Sequence, residues 1–416
     1  MATETTTERR RLPRLPLVLA ASLGVAVAVT AVAVWAGGGT AVRVPGIPDA
    51  GAFTAWGLPV ARTVVDASAV ATVGALLLVA VLLPGGRKLG PAQLRYLTWA
   101  AVGAGLWAAA SVATLLFTLS DLFAQPVGEV ASAAMVADFV TTDAQGRSYA
   151  LMAAAAGVVA TLCAGIGTAW WARLALLVAL AGMLPPAFSG HSSAAGNHDA
   201  AVISLALHLM GVAVWVGGLV FVLVAVARRE SDAATAARRF SPLAGWALIA
   251  VAASGIVNAA VRLPSVSDVF SSRYGLMVLA KTAALAVLGG IGWWHRRRTL
   301  PALNDGRRRA FVRPAAGELL LMAAAMGLAV ALARTPAPGA GDAELSPAEE
   351  LLGFAMPPRS ATSRGRRCSP SGTSTRCSPS VRAPRRCCTW RAYGSCTRGA
   401  TSGRSGGRSR GSRVSR

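Results

Sequence analysis

Three of the chain's four histidines fall within residues 191–208. Ser189-Gly190-His191-Ser192-Ser193-Ala194-Ala195-Gly196-Asn197-His198 joins two long apolar runs. The second run carries His208 and Trp215-Val216-Gly217-Gly218. Imidazole is the commonest metal ligand and suits copper, zinc, iron and nickel. An ionisable side chain inside an apolar run is expensive and marks a functional site by default. His191, His198 and His208 are therefore the candidate metal ligands. His208 falls about 12 Å below the start of its run at 1.5 Å per residue. A loop freed by Gly190 and Gly196 could fold back over it. A thioether added to imidazole tilts a site toward Cu(I). Met210 is two residues from His208 and points to another helix face, which leaves Met183 and Met277 as the better-placed sulfurs.

Each of these residues also has a plainer reading. His191 and His198 can be simply solvated, and His208 can make a structural hydrogen bond to a neighbouring helix. The methionines can be core packing. Trp215 shares the His208 face, and packing beside Gly217-Gly218 is its default role. Asp66, Asn258, Lys281 and Glu318 are the other polar groups in apolar runs. Lys281 needs a carboxylate or carbonyl partner, and Asp66 is one candidate on the same side. Asp66 and Glu318 lie near run ends, where snorkelling or capping suffices. His295 borders an arginine cluster and is expected at the lipid headgroups. Cys163 is expected in the core.

The elements that must position these residues follow from composition. The 416 residues are 54% hydrophobic and 14% charged, with mean hydropathy +0.52. A soluble domain carries about 25% charged residues. Apolar runs long enough to cross a bilayer recur at 15–35, 63–83, 96–119, 149–168, 172–188, 200–226, 242–261, 275–294 and 314–333. Such runs are helical because lipid leaves backbone groups no outside partner. The expected fold is all-α, a polytopic transmembrane bundle of about nine spans. Segment 120–148 is the longest outer loop and is expected to hold a short surface helix. Span one is read as a retained helix rather than a cleaved signal peptide, since its apolar core is long.

Charge sets the orientation. Arg9-Arg10-Arg11, Lys88, Arg173, Arg228-Arg229, Arg238-Arg239 and Arg296-Arg297-Arg298 fall on one side of a nine-span chain. Asp121, Glu129, Asp138, Asp143, Asp199 and Asp268 fall on the other. The basic side is cytoplasmic, which places the N-terminus inside and His191 and His198 outside. The expected divisions are 1–14, a cytoplasmic N-terminus; 15–188, an N-terminal membrane region; 189–333, a second membrane region; 334–358, a linker; and 359–416, a basic tail.

The net charge of +23 does not point to nucleic acid. Arg359 to Arg416 holds fifteen arginines and no acidic residue, so most of the basicity belongs to the tail. The tail also lacks Leu, Ile, Met, Phe and His and holds five of the six cysteines. That composition cannot bury a core, and disorder is expected. Cys368, Cys377, Cys387, Cys388 and Cys396 fit no common zinc spacing. The abrupt change after Met356-Pro357-Pro358 motivates the hypothesis of out-of-frame translation. In GC-rich DNA, a one-base shift turns CTG-type Leu codons into Cys or Trp codons, and Ala and Gly codons into Pro, Arg and Ser codons. Resequencing the DNA tests it, and an uninterrupted frame would sink it.

No phosphate-binding loop, nucleophile elbow, zinc-protease helix or haem-attachment Cys pair is present. The chain is expected not to be an enzyme. His208-Leu209-Met210-Gly211-Val212-Ala213-Val214-Trp215-Val216-Gly217-Gly218-Leu219 resembles the signature helix of the copper resistance protein D (CopD) family. The resemblance continues through Gly190-His191, Arg239-Phe240-Ser241, Ser254-Gly255-Ile256-Val257-Asn258 and Tyr274-Gly275-Leu276 with Lys281. Leu351-Leu352-Gly353-Phe354 and Met356-Pro357-Pro358 extend the likeness to actinobacterial fusions. In these a CopD half precedes a cytochrome c oxidase assembly (CtaG-like) half. That second half is expected to be lost here.

The resemblance implies copper handling at the cytoplasmic membrane, with uptake as the leading direction. Its metal residues carry over to His191 and His208, and less directly to His198. It implies structural or pathway roles for Asn258 and Lys281. Lipid, copper and an extracellular or periplasmic copper-binding protein are the expected partners. A copper-delivery factor for a membrane oxidase and a membrane scaffold with structural histidines remain as alternatives.

Overall fold

A computed structural model of the chain describes residues 15–36, 49–86, 88–165, 167–189, 198–263, 265–333 and 335. The basic N-terminus, His191 with its loop, and the tail lie outside the described residues. Helix α1 (Leu15–Ala36) is followed by α2 (Gly51–Leu77), which runs on through a π-helical turn at Leu78–Leu82. Helix α3 (Pro91–Phe123) opens with proline in its first turn, and the Gly90 N–H donates to Gln93 Oε1 at 2.9 Å. Two short helices, α4 (Val127–Val130) and α5 (Ala133–Thr142), fill the expected surface segment. The Ser132 hydroxyl caps α5 by accepting from the Met135 N–H at 3.3 Å.

Helices α6 (Ala144–Gly165), α7 (Ala169–Gly182) and α8 (Pro185–Ser189) come next. Helix α9 (His198–Val212) joins α10 (Gly218–Ala227) through a second π-turn, Ala213–Gly217. Helix α11 (Ala233–Arg262) and the single turn α12 (Asp268–Ser271) lead to α13 (Arg273–Trp294), capped by Ser272. Helix α13 continues through a third π-turn, His295–Thr299, into α14 (Leu300–Asn304), and α15 (Arg308–Leu332) is last. Among the described residues nine helical segments are long and apolar enough to cross a membrane, and no strand is present.

The expected spans start late in three places. Spans expected from 63, 242 and 314 begin at Gly51, Ala233 and Arg308. Proline and arginine read as boundaries in the sequence, yet Pro59, Pro242 and Pro314 lie inside α2, α11 and α15. Neighbouring helices and local turn adjustments in a bundle can re-satisfy the backbone groups that proline frees.

Helix α2 and the α9–α10 segment are the most buried spans; α11 and α13 are the least. Helix α2 packs on α3 and on the Ala213–Gly217 turn, α9 on α11, and α1 on α15. Trp107, Tyr96, Leu76 and Leu223 are fully enclosed. Gly74 of α2 and Gly217 meet backbone to backbone, and a Cβ on either would overlap the other helix. Gly218 is covered by the Phe240 ring of α11 in the same way. The Trp215-Val216-Gly217-Gly218 motif is thus a close-packing device, in keeping with small residues at membrane helix contacts.

Candidate metal centre

Helix propensity and spacing place four polar side chains on facing stripes of α9 and α11. Ser204 and His208 are four residues apart on α9; Ser254 and Asn258 are four apart on α11. Residues at that spacing share a helix face. Gly211, one turn beyond His208, lets α11 approach: a Cβ there would stand 3.0 Å from Val251 Cγ2.

The stripes interlock. His208 Nδ1 lies 2.9 Å from Ser254 Oγ. Ser254 Oγ donates to the Val251 carbonyl at 3.0 Å. Asn258 Nδ2 donates to Ser204 Oγ and to the Ser254 carbonyl, both at 3.0 Å. Ser204 Oγ donates to the Ala201 carbonyl at 3.0 Å. A serine hydroxyl has one proton, and Ser254 commits its proton to Val251. With that proton at Val251, the hydroxyl accepts from the ring in the Nδ1–H tautomer, and the Val251 carbonyl also hydrogen-bonds the ring. In that tautomer Nε2 keeps its lone pair for coordination. An imidazole oriented through its other nitrogen is the usual arrangement of a metal-ligating histidine.

The three candidate histidines fare differently. His208 is half-buried at the α9–α11 contact. His198 starts α9, and its side chain lies outside the described residues, as does all of His191. The ten-residue step from His198 to His208 spans about 15 Å of helix. Among the described residues no three His, Cys, Asp or Glu side chains cluster as a metal site.

Other expectations need revision. Lys281 does not pair with Asp66. Asp66 is coupled instead to Arg62, one turn earlier on α2. Lys281 on α13 acts electrostatically on His208 and feels Arg262. Met277 packs with Val34 and Ala331, and its sulfur accepts from Thr335 Oγ1 at 3.7 Å. That places it in the α1–α15 seam. Met183 and Leu209 line one small cavity.

His295, expected at the lipid headgroups, turns toward the protein interior. It is buried, with Nε2 3.3 Å from Glu318 Oε2 and Nδ1 2.6 Å from Thr299 Oγ1. The Nε2 contact has ion-pair distance without hydrogen-bond alignment. The adjacent arginines masked this residue in the sequence. Its legible signal was an acidic residue on the facing end of the next span. The Ser204 and Ser254 partners also went unremarked, although their four-residue spacing to His208 and Asn258 was readable.

Residues 234–332 match the family described as Copper resistance protein D, and residues 53–200 match the Copper resistance protein D-like N-terminal domain. The chain is also 29% identical over 178 residues to the Copper transport protein CutJ of Bacillus subtilis (strain 168). That match covers 41% of this chain and 32% of the relative, so it spans about a third of the relative's length. No solved structure matches. The two matches together take in the membrane helices from α2 to α8 and from α11 to α15, and over these regions the chain is similar to the copper resistance protein D family.

Proposed function

We propose that the protein carries copper inward across the cytoplasmic membrane through a site centred on His208. The observation that carries this reading is the 2.9 Å contact of His208 Nδ1 with Ser254 Oγ, which supports an Nδ1–H ring whose Nε2 can meet a metal. The family it is similar to and its copper-transporting relative supply the metal. His191, seven residues before α9 in sequence, and His198, its first residue, are proposed as capture ligands that pass the ion down to His208. Arginine-rich loops support an N-terminus inside, which puts this mouth outside. An extracellular copper-binding protein is the natural donor at that face. No catalytic role is proposed. The tail from Arg359 is read as an out-of-frame remnant of an oxidase-assembly half.

The test is cell-associated copper in cells expressing the intact protein or His208→Ala. Accumulation in the variant is expected to fall to that of cells lacking the protein. Unchanged accumulation would overturn the transport reading. If membrane oxidase activity fell at the same time, copper delivery to an oxidase would take its place.

A further inference from the structure

The next residue along α9 faces a different part of the bundle. Leu209 lines a cavity of about 60 Å³ that it shares with Asp66 of α2, Trp107 of α3, Met152 of α6 and Met183 just beyond α7. Met152 and Met183 are both buried, and Trp107 is wholly enclosed. The volume is ample for an ion with a water, and such a space fills with polar matter only where polar partners converge.

They do converge here. Two thioethers from different helices and one carboxylate border the same space. Trp107 also lines it, and its buried indole N–H has no acceptor in the protein. A buried donor without a partner is unusual and calls for an explanation such as a bound ion or water. Arg62 provides the counter-charge for Asp66, and its own Nε is buried without a hydrogen-bond partner. Purely apolar packing would need neither the carboxylate nor the unpaired indole.

We propose that Met152, Met183 and Asp66 form a second, intramembrane Cu(I) site, reached from α9 through Leu209 rather than through the His208–Ser254 pair. Thioether sulfur is a soft donor that selects Cu(I) over Zn(II) and harder cations. A single carboxylate neutralises a monovalent ion, and the ion takes over the role that Arg62 plays for Asp66. Trp107 N–H donates to the carboxylate or to a water on the metal. The proposal rests on the copper reading above but uses none of its ligands.

The experiment is Cu(I) titration of the full-length protein in detergent against a chromophoric Cu(I) chelator, with X-ray absorption at the copper edge. Met152→Leu/Met183→Leu preserves volume and apolarity, so the fold should persist. It is expected to lose one Cu(I) equivalent together with the copper–sulfur scattering. His208→Ala is expected to keep the copper–sulfur scattering. Asp66→Asn is expected to bind this ion at least about tenfold more weakly. Unchanged stoichiometry and unchanged sulfur scattering in the double methionine variant overturn the site, even if His208→Ala abolishes accumulation. Loss of the sulfur signal in the double variant, with accumulation untouched by His208→Ala, upholds the site while the transport reading fails.

Discussion

Two histidines sit inside this bundle, and their surroundings differ in one decisive respect. His208 makes its hydrogen bond to a neutral hydroxyl through Nδ1, and the rest of its network, Ser204, Ser254 and Asn258, carries no formal charge. His295 has both nitrogens engaged, Nδ1 at Thr299 and Nε2 facing the Glu318 carboxylate. Thr299 Oγ1 also donates to the His295 carbonyl. Both rings are therefore held by a hydroxyl at Nδ1. They diverge in what else surrounds them: His295 Nε2 faces the Glu318 carboxyl at 3.3 Å, whereas no acid belongs to the His208 network. The Glu318 contact makes His295 a structural tie between the end of α13 and α15.

That contrast can be broken in three places. Glu318→Ala removes the acid that faces the buried His295 Nε2 at 3.3 Å, and leaving a buried polar group without its partner typically costs about 1–3 kcal/mol. Thermal unfolding in detergent should show this loss, while the fraction that remains folded binds copper as before. A matching fall in copper affinity would erase the distinction between the two rings. Ser254→Ala removes the hydroxyl that orients His208. Outer partners of metal ligands are typically worth about 10–100-fold in affinity. The low end is expected here, because the Val251 carbonyl remains within reach of the ring. Copper competition titrations on the purified variant read this directly, and wild-type affinity would mean that Ser254 does not set the tautomer. Asn258→Ala should matter least. It loses the bond to Ser204, and interhelical hydrogen bonds in membrane proteins average about 0.6 kcal/mol. A shift in midpoint of that small size, with copper affinity within twofold of wild type, is the expected result. A collapse of copper binding would place Asn258 at the metal itself.

Hydropathy locates all nine spans because an apolar run of membrane-crossing length has one stable conformation in lipid. It misjudges where α2, α11 and α15 begin, since proline and arginine read as breaks while the bundle tolerates them within helices. The polar network was half legible. His208 and Asn258 stood out as polar groups in apolar runs, and their serine partners at four-residue spacing were there to be read. What single-sequence reasoning could not supply was which helices face each other. That is why Asp66 stands as a candidate partner for Lys281 in the sequence, whereas the structure sets Lys281 in the neighbourhood of His208. The Met152–Met183 cavity was invisible for the same reason. Its lining comes from five separate elements, and no periodicity within one helix reports on their meeting.

The backbone contact between Gly74 and Gly217 has a genetic consequence. Two codons far apart in the gene specify one joint with no slack, so neither can drift independently of the other. A methyl group added at either position pushes α2 away from the turn that carries Trp215, and no neighbouring side chain is there to shrink in compensation. Second-site suppressors of such a change would have to come from backbone movement, which makes them rare. The joint should behave as a fixed point around which the rest of the sequence is free to vary.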